Sequence, residues 1–240
     1  MTSYTYREKR ADFDAEAVLD RKLYFAVFIS KTCWNKRYYN DVLVRSMFFD
    51  LLSKYKPVHA LGNCRQAGDQ LGNYMVKGTD VSGPLHAFGN YKFAVVFDNR
   101  QEDGWFTERL ESAVLAGTVP VYFGGRDTGN YTNSKAFVHC VLSNASLERL
   151  RAINVSTMEQ AEEVLRWGIS DEPGSLKAEL MSCVKRVEAL DRDDAKYKQM
   201  LSEPLLPHNR VAGSEFDVET VSRRVKRVLK AYDSPLLQWT

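Results

Sequence analysis

Four short apolar runs most constrain what this chain can fold into. Residues 23–29, 93–97, 119–123 and 137–142 are dominated by branched and aromatic side chains with little polar alternation. A strand buried on one face alternates polar with apolar, whereas one buried on both faces does not. The runs therefore predict strands of a parallel sheet covered on both sides. The segments between them supply the covers. In residues 39–54, Val42, Leu43, Phe48, Phe49 and Leu52 recur three and four apart, and Lys56-Pro57 stops the pattern. Residues 58–61 read as a further strand. Residues 107–116 read as a helix, with Gly117 as its left-handed stop. Strands alternating with helices at this spacing give an α/β fold, a parallel sheet flanked by helices.

Residues 62–90 are rich in glycine and polar groups and predict short helices without a strong period. After residue 150 the strand signals end. Ser156-Thr157-Met158-Glu159 has capping-box spacing, and Gly168 closes the helix it opens. Leu176, Leu180, Val184, Val187 and Leu190 form one helical stripe. Val218, Val221, Val225, Val228, Leu229 and Tyr232 form another. Arg223, Arg224, Lys226, Arg227 and Lys230 lie on its outer side and are read as a solvated face rather than a membrane contact.

Charge and hydropathy narrow the function. Across 240 residues, 33 Lys and Arg against 31 Asp and Glu leave a net charge of +2, which gives no support to nucleic-acid binding. No apolar run reaches membrane-spanning length, and the polar N-terminus lacks a signal-peptide core. Cys33, Cys64, Cys140 and Cys183 form no CxxC pair, so a zinc site is not expected. Reduced thiols in a cytoplasmic chain are the expectation, with one disulfide left open.

In an open parallel sheet, ligands bind beyond the carboxyl ends of the strands. The loop after residue 97 runs Asp98-Asn99-Arg100-Gln101-Glu102-Asp103-Gly104-Trp105-Phe106-Thr107-Glu108-Arg109 and leads into a helix. A helix N-terminus suits a phosphate, and Arg109 adds a bidentate donor. Arg45, early on the first crossover helix, is placed to reach the same crevice. Thr107 as a plain N-cap and Asp98-Asn99 as plain turn residues are the alternative. GxGxxG and Walker sequences are absent. Asp12/Asp14 and Asp191/Asp193 have DxD spacing, but neither follows a buried strand. Neither pair is expected to hold metal, and the later one is expected on a solvated turn.

Three linked blocks resemble the α1,3/4-fucosyltransferase family. They are Tyr91-Lys92-Phe93-Ala94-Val95-Val96-Phe97-Asp98-Asn99, then Trp105-Phe106-Thr107-Glu108-Arg109-Leu110, then Leu115-Ala116-Gly117-Thr118-Val119-Pro120-Val121-Tyr122-Phe123-Gly124. The family signature runs approximately YKFxxxFEN, Y[IV]TEK and LLAGTxPVYxG. Phe28-Ile29-Ser30 with Cys33 resembles its VSNC strand end. Arg45 with Phe49, Leu52, Pro57 and Val58 resembles its RxxxFxxL helix and following strand, and Tyr4-Thr5-Tyr6-Arg7 its TYR segment. The acid of FEN is Asp98 here, the lysine of TEK is Arg109, and the tyrosine before TEK is Trp105.

The resemblance implies the Rossmann-like donor domain of a GT-B transferase. Residues 1–22 would be an interdomain segment, 23–150 the donor-binding core and 151–240 a helical part of the same domain. It implies transfer of fucose from GDP-fucose, with inversion, to a glycan hydroxyl of N-acetylglucosamine or glucose, and no further cofactor. Arg45 and Arg109 would bind the pyrophosphate, and Asn99 and Glu108 would face sugar and ribose hydroxyls. Asp98 would hold the loop, with Trp105 and Thr107 completing the donor set. The general base is expected in an N-terminal acceptor domain ahead of this chain. Asp12 and Asp14 are the residues within the chain to test for that role. The alternatives are another nucleotide-sugar transferase of this architecture, or a non-catalytic GDP-sugar or glycan-binding module. The expected location is cytoplasmic, with the Golgi lumen as the alternative for a chain preceded by an anchor.

Overall fold

The computed structural model describes residues 12–30, 33–34, 40–61, 64, 87–105, 107–212 and 217–232. The chain enters through α1 (Ala15–Asp20), capped by the Asp14 side chain, which accepts from Ala17 N. It then forms β1 (Tyr24–Ile29), a 3₁₀ turn (Asn40–Leu43), α2 (Val44–Leu52) and β2 (Val58–Leu61). β3 (Tyr91–Phe97), α3 (Glu108–Leu115), β4 (Val119–Phe123), α4 (Thr128–Tyr131) and β5 (Val138–Cys140) follow. The described remainder is helical: α5 (Asn144–Ala152), α6 (Met158–Gly168), α7 (Lys177–Asp191), α8 (Asp194–Ser202) and α9 (Val218–Tyr232), with a 3₁₀ turn at Pro207–Asn209.

The five strands form one parallel sheet in the order β2-β1-β3-β4-β5. Alternate residues of β3 explain its unbroken apolar sequence. Phe93, Val95 and Phe97 join the core under α2, α6 and α7, and Ala94 and Val96 join the core under α3. Leu180, Val184 and Val187 of α7 and Tyr197 and Leu201 of α8 lie in the same core as Phe28 of β1. The C-terminal helices thus share the sheet's core. Gly117 has φ +65° and ends α3, and Thr118 behind it donates to the carbonyls of Phe88 and Tyr91.

Three expectations are corrected. The capping box sits one residue later, with Thr157 as N-cap and Gln160 as its reciprocal partner, because glutamine at that position can reach back to the cap's N–H. The cysteines are paired, not reduced. Cys33 and Cys64 follow the neighbouring strands β1 and β2 with Cα atoms 4.6 Å apart, and Cys140 at the end of β5 joins Cys183 of α7 at 5.6 Å. Both spans suit a disulfide. Partners 31 and 43 residues apart in sequence are adjacent only because the sheet and α7 make them so.

Asp191 does not lie on a solvated turn. It is a buried residue at the end of α7, paired with Lys56 and with Lys92 at 3.1 Å, and it accepts from the Tyr55 hydroxyl at 3.0 Å. Burial alone would raise its pKa, but the bonds from Lys56, Lys92 and Tyr55 outweigh that and hold it below the usual range. Its DxD companion Asp193 is the N-cap of α8, accepting from Lys196 N.

The α9 helix forms where its periodicity predicts. Val218 and Val221 at its start are nevertheless exposed, as are Arg223, Lys226 and Arg227. The expectation of short helices in residues 62–90 and the Tyr4–Arg7 match fall largely or wholly outside the described residues.

Candidate functional site at the carboxyl ends of the strands

The strand order creates a topological switch point between β1 and β3. From β1 the chain crosses through α2 to β2 on one side, whereas β3 leads through α3 to β4 on the other. A crevice opens outside the carboxyl ends of two such strands. Asp98, Asn99 and Thr107 come from the β3–α3 connection at this end of the sheet, and Glu108 and Arg109 from the first turn of α3. Arg45 comes from the first turn of α2.

Arg45 is buried, and its Nη1 donates to Asn99 Oδ1 at 3.0 Å. Residues 54 apart in sequence are thus brought together across the switch point. Arg109 Nη1 donates to the carbonyl of Phe97, the last residue of β3, at 2.8 Å. One of its five donors is committed there, and the guanidinium is held at the strand end. Asn99, Glu108 and Trp105 are exposed, Trp105 at 59%.

Asp98 is almost fully buried. Its Oδ1 accepts from Thr107 Oγ1 at 2.5 Å, and its Oδ2 accepts from Tyr122 OH at 2.9 Å. Burial pushes its pKa up to about 6, against the opposing pull of the two hydroxyls and Arg109. Thr107 occupies the N-cap position of α3 without making a side-chain cap, because its hydroxyl is spent on Asp98. The first N–H groups of α3 are therefore not capped by Thr107, which suits an anion.

The loop between Asn99 and Trp105 is fastened from several sides. Gln101 N donates to Asp41 Oδ2 at 3.1 Å, and the fully buried Asp41 is gripped by Arg151 through Nε at 2.7 Å and through Nη2. The Gln101 side chain pairs with the N–H and C=O of Leu142 at 2.8 and 2.9 Å. Gly104 N donates to Asp127 and Arg126 N to Asp103. The glycines after β4 are sterically required. A Cβ on Gly124 would sit 1.9 Å from Tyr122 OH and 2.8 Å from Asp98 Oδ2, and one on Gly125 2.6 Å from Glu102 O.

Sequence reasoning missed Tyr122, Asp41, Gln101 and Arg151. Tyr122 stood inside a matched block but read as one residue of an apolar strand. A sharper signal was available, since a tyrosine two residues before paired glycines at a strand end can turn its hydroxyl over the neighbouring strand's terminus. Asp41 and Arg151 lie 110 residues apart, and no local pattern joins them.

Asp14 caps α1, whose Val18 lies 3.2 Å from where a Cβ on Gly117 would be, at the amino end of β4. That helix packs toward the opposite end of the sheet from Asn99. Among the described residues, no group of three or more His, Cys, Asp or Glu is arranged to hold a metal ion.

The model of glycosyltransferase family 10 (fucosyltransferase), C-terminal, matches residues 21–167, well over half of the chain. The chain belongs to glycosyltransferase family 10. Within the family it is 29% identical over 96 residues to the alpha-(1,3)-fucosyltransferase FucT of Helicobacter pylori, covering 40% of this chain and 18% of that protein. It is 32% identical over 93 residues to GDP-fucose protein O-fucosyltransferase 3 of Xenopus tropicalis, covering 38% and 19%. The crystal structure of an alpha1,3-fucosyltransferase with GDP superposes on 89% of this chain and 48% of that one, with a TM-score of 0.56 at 20% identity. The likeness is one of fold. This family 10 chain matches about a fifth of the length of those two relatives and about half of the solved chain.

Proposed function

We propose that this chain is the GDP-fucose-binding part of an inverting α1,3-fucosyltransferase-like enzyme of GT-B arrangement. The observation that carries the reading is the Arg45–Asn99 contact beside Arg109 at the switch point of a family 10 chain. In this reading Arg45 and Arg109 take the diphosphate, and the start of α3 adds its N–H groups. Asn99 and Glu108 meet sugar and ribose hydroxyls, Trp105 offers an exposed ring, and Thr107 and Asp98 hold the loop. The donor needs no metal cofactor, since two guanidinium groups and a helix N-terminus can neutralise a diphosphate.

The chemistry follows from charge. As the glycosidic bond breaks, the departing GDP gains negative charge, and guanidinium groups already fixed by Asn99 and Phe97 stabilise it most in the transition state. The acceptor hydroxyl must lose a proton to a general base. No residue of this chain is assigned that role. The proposed acceptor is a glycan hydroxyl of N-acetylglucosamine or glucose. Two disulfides belong with an oxidising compartment, which favours the Golgi lumen over the cytoplasm. Among the described residues, no helix is long and apolar enough to cross a membrane.

Thermal denaturation with GDP-fucose, GDP-mannose and UDP-galactose tests the reading. A ligand at a hundred times its Kd stabilises by about 2.7 kcal/mol. GDP-fucose should raise the midpoint most and UDP-galactose least. Equal shifts for the GDP and UDP sugars would reject the donor assignment.

A further inference from the structure

We infer that Tyr122 is a positioning residue of the donor site: with Thr107, its hydroxyl grips both oxygens of Asp98, and that grip holds Asn99 where Arg45 meets it. The inference deepens the proposed function and rests on it for the identity of the ligand.

The geometry joins three elements at one carboxylate. Thr107 ties the start of α3 to the end of β3 through Oδ1, and Tyr122 ties β4 to it through Oδ2. Asp98 N donates to Phe123 O at 2.8 Å, so the backbone is pinned at the same residue. The next side chain along is Asn99, which accepts from Arg45. Gly124 is shaped to this arrangement, since any side chain there would collide with the Tyr122 hydroxyl. The far side of Tyr122 is also held. Its ring meets Phe137 edge-on at 5.7 Å, and its hydroxyl lies 3.4 Å from Thr128 Oγ1, which donates to Gly125 O.

A buried carboxylate gripped by two neutral hydroxyls is a costly way to make a turn. A polar turn could be made by exposed residues without burying a charge. Its position at the switch point supplies the reason, since the next residue along bonds the arginine assigned to the diphosphate.

The grip depends on protonation. Ionised Asp98 accepts from both hydroxyls, whereas the protonated acid must turn one oxygen into a donor. The charged groups around it are Arg109, which favours the ionised form, and Glu108, which opposes it. On β5, the His139 ring lies tilted against the Tyr122 ring at 5.4 Å between centroids, and burial and Arg186 hold its pKa below the usual value. Its protonation is therefore displaced to lower pH than a free imidazole's.

Tyr122→Phe removes the hydroxyl alone, and Thr107→Val tests the other oxygen in case the first variant folds poorly. Two measurements are made on the intact chain: GDP affinity between pH 5 and pH 8, and amide exchange of residues 99–105 without ligand. Each variant should bind GDP about tenfold more weakly, the equivalent of 1.4 kcal/mol. The ratio of wild-type to variant affinity should change with pH, because losing a donor moves the Asp98 titration upward. GDP's own phosphate titration is common to both proteins and cancels in that ratio. A purely structural defect would give a ratio flat in pH. Loop exchange should quicken in both variants. Unchanged loop exchange in both variants overturns the inference whether or not GDP binds, as does GDP binding with a ratio of one, or flat, across the range. Quickened exchange in both variants, with no GDP binding by the wild-type protein, would keep the grip and reject the donor assignment.

Discussion

Arg45 reaches Asn99 at 3.0 Å across the switch point, from the helix after β1 to the loop after β3. The contact does two things at once. It holds a buried guanidinium at the carboxyl end of the sheet, and it fixes the first exposed residue of the loop. Arg45→Lys keeps the charge but loses the planar fork that can hold Asn99 and a phosphate together. We expect Arg45→Lys to recover little of the GDP affinity lost in Arg45→Ala, a loss of about 1.5–3 kcal/mol. Calorimetry on the three proteins checks this, and full recovery by lysine would mean that charge alone matters.

Asp98→Asn should trade binding for stability. Burial raises the folded-state pKa to about 6 from the ordinary aspartate value of 3.8. The native state therefore holds the proton more tightly than the unfolded chain. The sign follows: relative stability is present at low pH and is lost as pH rises through about 6. The loss is on the order of 3 kcal/mol. Asparagine carries no charge to bury, so Asp98→Asn should raise the melting temperature by several degrees at pH 8 and much less at pH 4.5. GDP binding should weaken. A variant less stable than wild type at pH 8 would contradict this.

Asp191→Ala should do the reverse, weakening the fold without touching the site. The acid is buried between Lys56 and Lys92 and is held below its usual pKa. Its stabilisation is present above the unfolded-state pKa and fades as pH falls through the folded one. Removing it takes the buried partner from Lys92, which keeps a 3.5 Å contact with the exposed Asp194, at a cost of about 3 kcal/mol at pH 7. Urea unfolding should show that loss, and GDP affinity should stay within twofold, because Lys92 lies at the start of β3 and Asn99 beyond its end. A GDP affinity that falls with the fold intact would place the acid in the site's reach.

Reduction should destabilise the chain. Loops of 31 and 43 residues closed by disulfides are worth about 3–4 kcal/mol each in the chain-entropy account. Unfolding with and without dithiothreitol measures it, and coincident curves would show that the bridges do not form in solution.

The strands were legible because burial on both faces removes alternation. Residues 58–61 and 119–123 are strands from end to end. β5 is shorter than its apolar run, because Phe137 is the extended cap residue of the 3₁₀ turn Ser134–Ala136 and Leu142 is drawn off to pair with Gln101. The position of Arg45 and Arg109 at the crevice followed from the rule about strand ends. The grip on Asp98 went unread because Tyr122 sits in a run of apolar strand residues, and only the paired Gly124-Gly125 after it hints that its hydroxyl turns back over β3. The disulfides and the burial of Asp191 were illegible for a related reason. Each depends on which strand lies beside which strand or which helix packs near it, and a pair distant in sequence carries no local spacing.

Calorimetric titration of GDP into the wild-type chain and into Arg109→Ala, with excess chelator present, tests the central claim most directly. Arg109 is held at the end of β3 by the Phe97 carbonyl and contributes one charge-assisted contact to the diphosphate in this account. Wild type should bind GDP despite the chelator, and the variant should bind about 10- to 100-fold more weakly, the equivalent of 1.4–2.7 kcal/mol. Equal affinity in the two proteins, or binding that vanishes with chelator and returns with manganese, would contradict a donor site built from Arg45, Arg109 and the start of α3.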